Sequence, residues 1–195
     1  MSAPAERFDA AYYQRFYLNP DTRAASPAEQ QQQAVFIASY LKYLQLPVTR
    51  ILDVGCGLGT LLNHLGQQFS EAECVGVELS AYLCDSYGWH NGSVVDFQAD
   101  PFDLVVCSDV LGYLNKRDCS KALKNLGDLC DGALYLSVLT AEDLEICDPD
   151  HTDMQQNARP CSWYDQRLAS DFTRMGGGLF LRKPLPVPVW RMEHA

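Results

Sequence analysis

The N-terminal part of the chain carries apolar residues at helical spacing. Phe8, Tyr12 and Phe16 recur every four residues, which predicts a short aromatic helix. The Ser-Pro-Ala-Glu sequence at residues 26–29 has the arrangement of a capping box with proline at the first helical position. Apolar residues then repeat at helical spacing, so a second helix is predicted from Pro27 to about Leu46.

After Pro47 the pattern changes to short apolar runs rich in β-branched residues, separated by helical segments. These runs predict four strands, at Arg50 to Val54, Cys74 to Glu78, Phe102 to Ser108 and Ala133 to Leu139. Helices are predicted between them at Leu58 to Leu65 and at Lys116 to Leu129. Because strands that alternate with helices are joined by right-handed crossovers, this order predicts a mostly parallel sheet.

The C-terminal third predicts an antiparallel addition to that sheet. Two short apolar segments, Phe172 to Met175 and Leu179 to Arg182, flank three consecutive glycines, which is typical of a β-hairpin. A short helix is expected before the hairpin. From Lys183 to Ala195, prolines at alternate positions favour an extended chain, either as an edge strand or as an arm.

Composition and charge narrow the classes of function. A hydrophobic fraction of 47% is enough for one sizeable core. With 15 Lys and Arg against 25 Asp and Glu, the net charge of -10 repels phosphate backbones and anionic lipids, so nucleic acid is an unfavourable partner. No apolar run approaches the roughly 20 residues of a membrane span, and the first residues are too polar for a secretory signal. A cytoplasmic protein without a membrane partner is predicted.

The eight cysteines predict neither a disulfide framework nor a metal site. No pair has the C-x-x-C spacing that metal and redox sites use. Cys74 and Cys107 lie inside apolar runs, where a free thiol behaves as a small buried hydrophobe. Reduced thiols and no bound metal are therefore expected.

The most informative segment joins the first predicted strand to the helix after it. Residues 51–59 have the sequence Ile-Leu-Asp-Val-Gly-Cys-Gly-Leu-Gly. Glycines at such a point allow a tight turn and the close approach of a ligand, whose polar end can face the helix N-terminus. The dinucleotide-binding fingerprint would need glycine where this chain has Thr60, which disfavours an NAD-dependent dehydrogenase.

This turn, with Asp53 two residues ahead of its first glycine, resembles the first motif of class I S-adenosylmethionine (SAM) dependent methyltransferases. The resemblance implies S-adenosyl-L-methionine as cofactor. It agrees with a Rossmann-like three-layer α/β/α sandwich, in which a C-terminal antiparallel hairpin completes the mostly parallel sheet. It also implies that Gly55, Cys56 and Gly57 accommodate the amino acid portion of the cofactor and that Asp53 helps to position its ammonium group.

Two further landmarks follow in the order that this family shows. Glu78 ends the second strand 25 residues after Asp53, where an α/β nucleotide fold has the carboxylate that accepts the ribose hydroxyls. An ordinary exposed strand-end acid is the alternative. Leu79 follows Glu78 as a further candidate contact. The apolar run from Pro101 to Leu114 resembles the fourth strand of the family, with Ser108 at the end of that strand as another candidate.

The region after Glu78 departs from the family pattern. Only 14 residues separate Glu78 from Ser93, which leaves little room for a full helix and a strand, so a shortened helix is predicted. By resemblance, the turn after the third strand contacts the adenine. Ser93, the backbone of Val94 and the carboxylate of Asp96 are therefore candidates, while Asp96 has the equal alternative of capping a turn.

Methyl transfer from a sulfonium needs mainly alignment and the exclusion of water, and a base only where the accepting atom must lose a proton. Asp109 and Tyr113 follow the fourth strand at the ligand-binding edge and could face the methyl group. His151, in the acidic loop after the fifth strand, could act as a base. The alternatives are a turn cap, half-buried packing and solvation, respectively. A further cluster either clamps an anionic substrate or packs a helix on the sheet: Arg159, Trp163, Tyr164 and Arg167.

The sequence thus predicts one domain over residues 1–195, with an N-terminal helical extension or lid at 1–46 and a Rossmann-like core at 47–195. Its predicted function is methyl transfer from SAM to a small-molecule acceptor. An RNA or protein methyltransferase that needs a partner stays as one alternative. A non-catalytic module that binds SAM or no ligand, and acts through contacts with a partner, stays as the other. Whether the chain forms a homodimer is left open.

Overall fold

The computed structural model describes residues 7–189, which form a seven-stranded sheet. The strand order is β3-β2-β1-β4-β5-β7-β6. The first five strands are parallel, and β6 and β7 form an antiparallel hairpin on β5. The strands are β1 Arg50–Val54, β2 Glu73–Glu78, β3 His90–Asn91, β4 Phe102–Ser108, β5 Cys130–Ser137, β6 Phe172–Gly176 and β7 Leu179–Arg182.

Helices connect the parallel strands and precede the sheet. None of those in the described part of the chain is long and apolar enough to cross a membrane. They are α1 Ala10–Tyr13, continued by a π-helical segment Gln14–Leu18, α2 Pro27–Tyr43, α3 Thr60–Gln68, α4 Ala81–Tyr87, α5 Lys116–Leu129 and α6 Cys161–Leu168, with short 3-10 helices at Leu111–Tyr113 and Asp143–Glu145.

Side chains of the central strands alternate between two apolar cores. Ile51 packs with α2 and α3, whereas the next residue, Leu52, packs in the core that includes α5 and α6. Leu104 and Val105 alternate in the same way. Both faces of the sheet are therefore covered by helices, which confirms the predicted three-layer α/β/α sandwich.

The aromatic N-terminal helix is present, and a carboxylate caps it. Asp9 Oδ1 accepts the backbone N–H of Tyr12 at 2.9 Å, which begins α1. Neighbouring rings of Tyr12, Tyr13, Phe16 and Tyr17 lie 5.0 to 6.2 Å apart between centroids. None of these rings belongs to the two apolar cores of the sheet. The aromatic stripe is therefore free to face the edge of the sheet.

Two predicted helices differ from the observed ones at their ends. α2 ends at Tyr43 instead of about Leu46, because Gln45 has a left-handed backbone with a φ of 56°. α3 begins at Thr60, two residues later than predicted. The last glycine of the turn, Gly59, directly precedes it with a φ of 73°, so the turn is longer and the helix starts later.

One strand and one thiol also differ from the expectation. β5 begins at Cys130 and ends at Ser137, earlier at both ends than the predicted Ala133–Leu139, because the chain passes from α5 into the sheet without a loop. All eight cysteines are free thiols. Cys107 is buried as expected, but the expectation for Cys74 was wrong, since it lies exposed near the amino end of β2.

The segment between β2 and β4 is short, as its sequence indicated. α4 has seven residues and β3 has two. β3 pairs with β2 at the end that carries Glu78. Residues 93–96 form a turn after β3 and not a strand. This turn lies beside the carboxyl end of β2, which brings it close to the edge where open α/β sheets bind ligands.

The predicted C-terminal hairpin is confirmed. β7 pairs with β5, and β6 forms the edge of the sheet. Residues 183–189 form no strand, and Leu185 and Val187 pack against the core that contains α2, so this part is an arm. The rest of the predicted extended segment, residues 190–195, lies outside the described residues.

Replacement of the α2 cap should destabilise the fold. Ser26 Oγ accepts the backbone N–H of Glu29 at 3.2 Å. Ser26→Ala is expected to lower the free energy of unfolding by about 1 kcal/mol, measured by urea denaturation. Ser39→Ala is the matched control, because Ser39 is exposed in the interior of the same helix, where alanine is favourable. Equal losses in both variants would contradict the capping role.

Candidate active site

The glycine turn leaves the carboxyl end of β1 on a left-handed backbone. Gly55, Gly57 and Gly59 have φ values of 78°, 55° and 73°. The carbonyl of Val77 in β2 accepts the N–H groups of Gly55 at 2.7 Å and Cys56 at 3.2 Å. Residues with a Cβ adopt such φ values only at a cost. The backbone of the turn therefore requires glycine at these positions.

Trp89 supports the turn from the β2 side, and the sequence analysis did not single it out. Its indole Nε1 donates to the carbonyl of Gly57 at 3.1 Å. The ring fits because two glycines lack side chains: a Cβ at Gly59 would overlap the ring, and one at Gly76 would lie 2.6 Å from a ring carbon. Gly76 was the available signal, since glycine inside a strand often marks the close approach of another group.

Glu78 ties the turn to the start of α4. Its Oε2 accepts the N–H of Gly57 at 2.9 Å, and its Oε1 accepts those of Leu79 at 2.8 Å and Ser80 at 2.9 Å. The residue is buried, with 5% of its surface exposed. Burial and the nearby Glu78 charge raise the pKa of Tyr13 above its ordinary value. A carboxylate has about four acceptor positions, so Oε2 keeps one for a further donor.

Asp53 is a buried carboxylate that lacks a partner. It is 3% exposed, and the described residues supply no hydrogen bond to it. Burial, followed by the charge of Glu78, raises the pKa of Asp53 to about 7. Burying an unpaired carboxylate is costly, so an arrangement of this kind marks a position where a cation would be stabilised.

A cavity of about 370 Å³ lies over the β2 side of the glycine turn. Apolar side chains form much of its wall, and carboxylate and hydroxyl groups converge at a few points. Its lining includes Gly55, Gly57, Glu78, Leu79, Ser93, Val94, Ser108, Val110 and Leu114. We call it the first cavity.

The turn after β3 forms one end of the first cavity. Asn125 of α5 fixes this turn, because its Nδ2 donates to the carbonyls of Val94 at 3.1 Å and Phe97 at 2.9 Å. Ser93 and Val94 line the cavity, as their candidate role requires. Asp96 is exposed and is not part of the lining of either cavity. The structure thus brings two of the three adenine candidates to the cavity.

A second cavity of about 360 Å³ adjoins the first. The glycine turn, the N-terminal segment and the loop after β5 form its walls, and Asp53, Cys56 and His151 lie in its lining. The two cavities share the residues Tyr12, Tyr17, Gly55, Ser108, Asp109 and Tyr113. They meet where β1 and β4 end side by side and the strand order reverses, which is the usual ligand position in such sheets.

Asp109 lies at this junction on a strained backbone. Its φ of 57° is in the left-handed region, which costs a residue with a side chain about 1–2 kcal/mol. Its carboxylate accepts long hydrogen bonds from Ser108 Oγ at 3.4 Å and Ser137 Oγ at 3.5 Å and stays accessible from the cavities. Burial among the surrounding atoms raises the pKa of Asp109. Strain of this kind is concentrated at functional sites.

The N-terminal segment, residues 7–25, is held over the cavities by a chain of polar contacts. Arg7 Nη2 lies 2.6 Å from Asp153 Oδ2. The Tyr113 hydroxyl donates to the same oxygen at 3.2 Å and lies 2.8 Å from the Tyr12 hydroxyl. Tyr113 therefore connects the end of β4 to both the N-terminal segment and the loop after β5.

Two contacts hold the remainder of this segment. Ser80 Oγ donates to the carbonyl of Phe8 at 2.6 Å, beside Glu78. At the other end, His151 Nδ1 lies 3.2 Å from the carbonyl of Arg23. A carbonyl only accepts, so this contact places the proton on Nδ1 and leaves Nε2 without one in the neutral ring.

The arginine and aromatic cluster before the hairpin packs and does not line either cavity. The guanidinium of Arg159 is buried and donates to the carbonyls of Leu111 and Leu114, just beyond Asp109. Arg167 stacks on Trp163 at 3.7 Å from the ring centroid. The geometry favours the packing alternative, in which α6 fixes the segment after β4.

The fold and these groups define a class of protein. It is a doubly wound α/β protein with a glycine turn and two buried carboxylates at the switch point of its sheet. The profile of a family described as "Methyltransferase domain" matches residues 13–177. The chain belongs to this methyltransferase family, which confirms the family predicted from its glycine turn.

Solved structures share the fold at low sequence identity. Magnesium protoporphyrin IX methyltransferase (ChlM) from Synechocystis PCC 6803, crystallised with bound SAM, is 16% identical with a TM-score of 0.66, over 92% of this chain and 95% of that one. DesVI from Streptomyces venezuelae is 18% identical with a TM-score of 0.65, over 91% and 99%. These likenesses show the fold.

A curated relative is the probable methyltransferase ltbC from Aspergillus luteorubrus. It is 25% identical over 126 residues, which are 54% of this chain and 43% of that protein. The chain thus spans less than half the length of this relative.

Asp53 should make stability depend on pH. Because its folded pKa of about 7 exceeds the ordinary 3.8, the folded state holds the proton more tightly, and the resulting stability is lost as pH rises between these values. Asp53→Asn removes this loss. The free energy of unfolding of the variant minus that of the wild type should increase by roughly 2–4 kcal/mol between about pH 4 and pH 8, measured by urea denaturation.

Asp131→Asn is the control for this series. Asp131 is exposed near the amino end of β5, at the opposite edge of the sheet, and should show no such trend. A stability difference for Asp53→Asn that stays constant with pH would contradict the assigned environment.

Removal of Glu78 should loosen the glycine turn. Glu78→Ala leaves the amides of Gly57, Leu79 and Ser80 without their acceptor and should lower the free energy of unfolding by about 1–3 kcal/mol. Thermal and urea denaturation measure the effect. Glu71→Ala, in the exposed turn before β2, should change stability little. A Glu78→Ala variant as stable as the control would show that the turn does not depend on this carboxylate.

Proposed function

We propose that the chain binds SAM across the first cavity and the glycine turn, and transfers its methyl group to a small molecule in the second cavity. The observation that carries this proposal is the junction of the cavities at Asp109. One cavity offers an apolar wall with the Glu78 carboxylate, and the other offers an unpaired buried carboxylate, Asp53. Each is large enough for a ligand of modest size.

The residues present fit the chemical groups of SAM. The unpartnered Asp53 beside Gly55 and Cys56 suits an ammonium group, which removes the cost of burying the charge. The remaining acceptor position of Glu78 suits a ribose hydroxyl, in competition with the Tyr13 hydroxyl. When bound, SAM supplies a methyl group already activated by its sulfonium.

The apolar end of the first cavity suits adenine. Leu79, Val94 and Val110 offer apolar contacts, and the turn that carries Val94 is fixed by Asn125. Ser93 supplies a hydroxyl at the same end, although its Oγ already accepts the N–H of Val95 at 3.2 Å. Asp96 would take part only through a movement of this turn, so its candidate role has the least support.

The chain's own task in the transfer is alignment and the exclusion of water. Tyr12, Tyr17 and Tyr113 surround the junction of the cavities, and Asp109 is the carboxylate that both cavities share. The N-terminal segment covers the junction, which supports a lid role for the N-terminal extension. Asp109 is the candidate to hold a proton of the acceptor, with His151 at the outer wall as a second candidate.

A small acceptor agrees with the size and charge of the site. The second cavity is enclosed by three chain segments and has a volume of about 360 Å³. The net charge of -10 disfavours a polyanionic acceptor such as RNA.

Cofactor binding can be tested with two matched glycine variants. A Cβ at Gly57 would enter the space facing Tyr17, 3.6 Å from its ring, whereas a Cβ at Gly88 would meet no atom within 4 Å. Both residues have positive φ, 55° and 75°, so the backbone strain is similar. In titration calorimetry with SAM and its demethylated product, Gly57→Ala should weaken binding by about tenfold or more, and Gly88→Ala should retain wild-type affinity.

Each contrary result has a distinct meaning. Equal affinity in both variants would contradict binding at the glycine turn. No heat with either compound in the wild-type protein would overturn the cofactor assignment and favour a non-catalytic interaction module.

A further inference from the structure

The second cavity combines carboxylates with aromatic rings. Apart from tyrosine and cysteine, the titratable residues in its lining are four aspartates and one histidine. The lining contains no lysine and no arginine. The acids are Asp53, Asp109, Asp148 and Asp153, and the rings are those of Tyr12, Phe16, Tyr17 and Tyr113.

One basic residue near the cavity neutralises one of these acids. Arg7, which is outside the lining, pairs with Asp153 at 2.6 Å. Among the described residues, Asp53, Asp109 and Asp148 form no ion pair with a lysine or arginine. Asp53 is moreover almost completely buried without a hydrogen bond. The cavity therefore has an excess of acidic groups that its own residues do not balance. Because burial raises the pKa of Asp53 and of Asp109, a bound cation would stabilise the charged form of each.

The proposed cofactor would balance only part of this excess. An ammonium, a carboxylate and a sulfonium give SAM a single net positive charge. Even with SAM bound and its ammonium at Asp53, the carboxylates of Asp109 and Asp148 would still face the acceptor space. A second cation is the ligand that this remaining charge favours.

Two rings of the aromatic wall, Tyr12 and Tyr17, point independently to the same kind of ligand. The guanidinium groups of Arg7 and Arg15 already lie over the other two rings, 5.1 Å from the centroid of Tyr113 and 4.9 Å from that of Phe16. The centroid of Tyr12 lies 5.0 Å from that of Phe16 and 6.2 Å from that of Tyr17, so these rings form one continuous surface. Ring faces attract ammonium groups and repel anions. The aromatic rings and the acidic groups that line the second cavity therefore both favour a cationic ligand.

We propose that the methyl acceptor is a small amine that enters the second cavity as a cation, with Asp109 facing its nitrogen. This inference rests on the proposed function and specifies its substrate class. A carboxylate or phosphate acceptor would meet acids without a cationic partner. A hydroxyl acceptor would gain nothing from the acids or the rings beyond ordinary hydrogen bonding.

The transfer to an amine is balanced by groups at the site. The ammonium first gives one proton to the Asp109 carboxylate, which yields a neutral amine with a free lone pair. The nitrogen lone pair forms the new N–C bond with the methyl carbon, while the C–S bond breaks and leaves its electron pair on sulfur. The nitrogen carries the positive charge after transfer, and the proton on Asp109 returns to solvent.

Binding of matched amines, alcohols and carboxylates tests this proposal. The probes are phenethylamine, 2-phenylethanol and 3-phenylpropanoate, and in a second scaffold tryptamine, tryptophol and indole-3-propanoate. Calorimetry measures each one on the full chain, with and without saturating demethylated cofactor. We expect at least one amine to bind about tenfold more tightly than its alcohol, and the carboxylates to show no binding.

Asp109→Asn identifies the group responsible, because asparagine also tolerates the positive φ at this position. In this variant the affinity for the amine should fall by about tenfold, while the affinity for the alcohol should change by less than about twofold. Asp131→Asn is the charge-matched control outside both cavities and should change neither affinity.

The outcomes separate the two proposals. Amine binding without binding of the demethylated cofactor would support the selectivity of the second cavity for cations, but it would overturn the proposed function and with it the role of the amine as methyl acceptor. Cofactor binding with no amine bound, or with alcohols or carboxylates bound as tightly, would overturn the amine proposal alone. An Asp109→Asn variant that weakens amine and alcohol equally would also overturn it, and a chain that binds none of the compounds would overturn both.

Discussion

The site depends on one carboxylate that satisfies amides from two different loops. Glu78 accepts the N–H of Gly57 from the β1–α3 turn and those of Leu79 and Ser80 from the β2–α4 connection. Because a buried amide without an acceptor destabilises the fold, Glu78 holds the two loops at a fixed distance from each other. Trp89 completes the support by its bond to the Gly57 carbonyl. The glycine turn thus has a fixed shape before any ligand binds, which reduces the entropy lost on binding.

The acidic groups that lack a cationic partner are concentrated in a small region around this fixed turn. Asp53 is buried without a partner, and Asp109 occupies a left-handed backbone at the junction of two cavities. Each feature lowers stability, and the two apolar cores on either side of the sheet compensate for it. This distribution agrees with a protein whose ligands bring the missing positive charge.

Much of the fold could be predicted because local signals agreed with the tertiary structure. The capping box at residues 26–29, the helix over Lys116–Leu129 and the strand over Phe102–Ser108 were correct, since periodicity and capping chemistry determine them locally. The start of β5 was wrong because its pairing with β4, a non-local interaction, extends the strand into residues that border a helix. The prediction that Cys74 is buried was wrong because apolar neighbours in sequence do not reveal which end of a strand is exposed.

The site was predictable as far as motifs specify the backbone. The turn of Gly55 and Gly57 and the position of Glu78 follow from spacing along the chain. By contrast, the contacts of Arg7 with Asp153 and of Tyr12 with Tyr113 join residues more than a hundred positions apart, so no local pattern contains them. These contacts also determine how the N-terminal segment, residues 7–25, can separate from the site. They attach the N-terminal segment to the 3-10 helix after β4 and to the loop after β5, and not to the two apolar cores of the sheet, so breaking a few polar bonds would admit a solute while the sheet stays intact. Since one of those bonds is a partly exposed ion pair, dissolved salt would weaken it and ease admission.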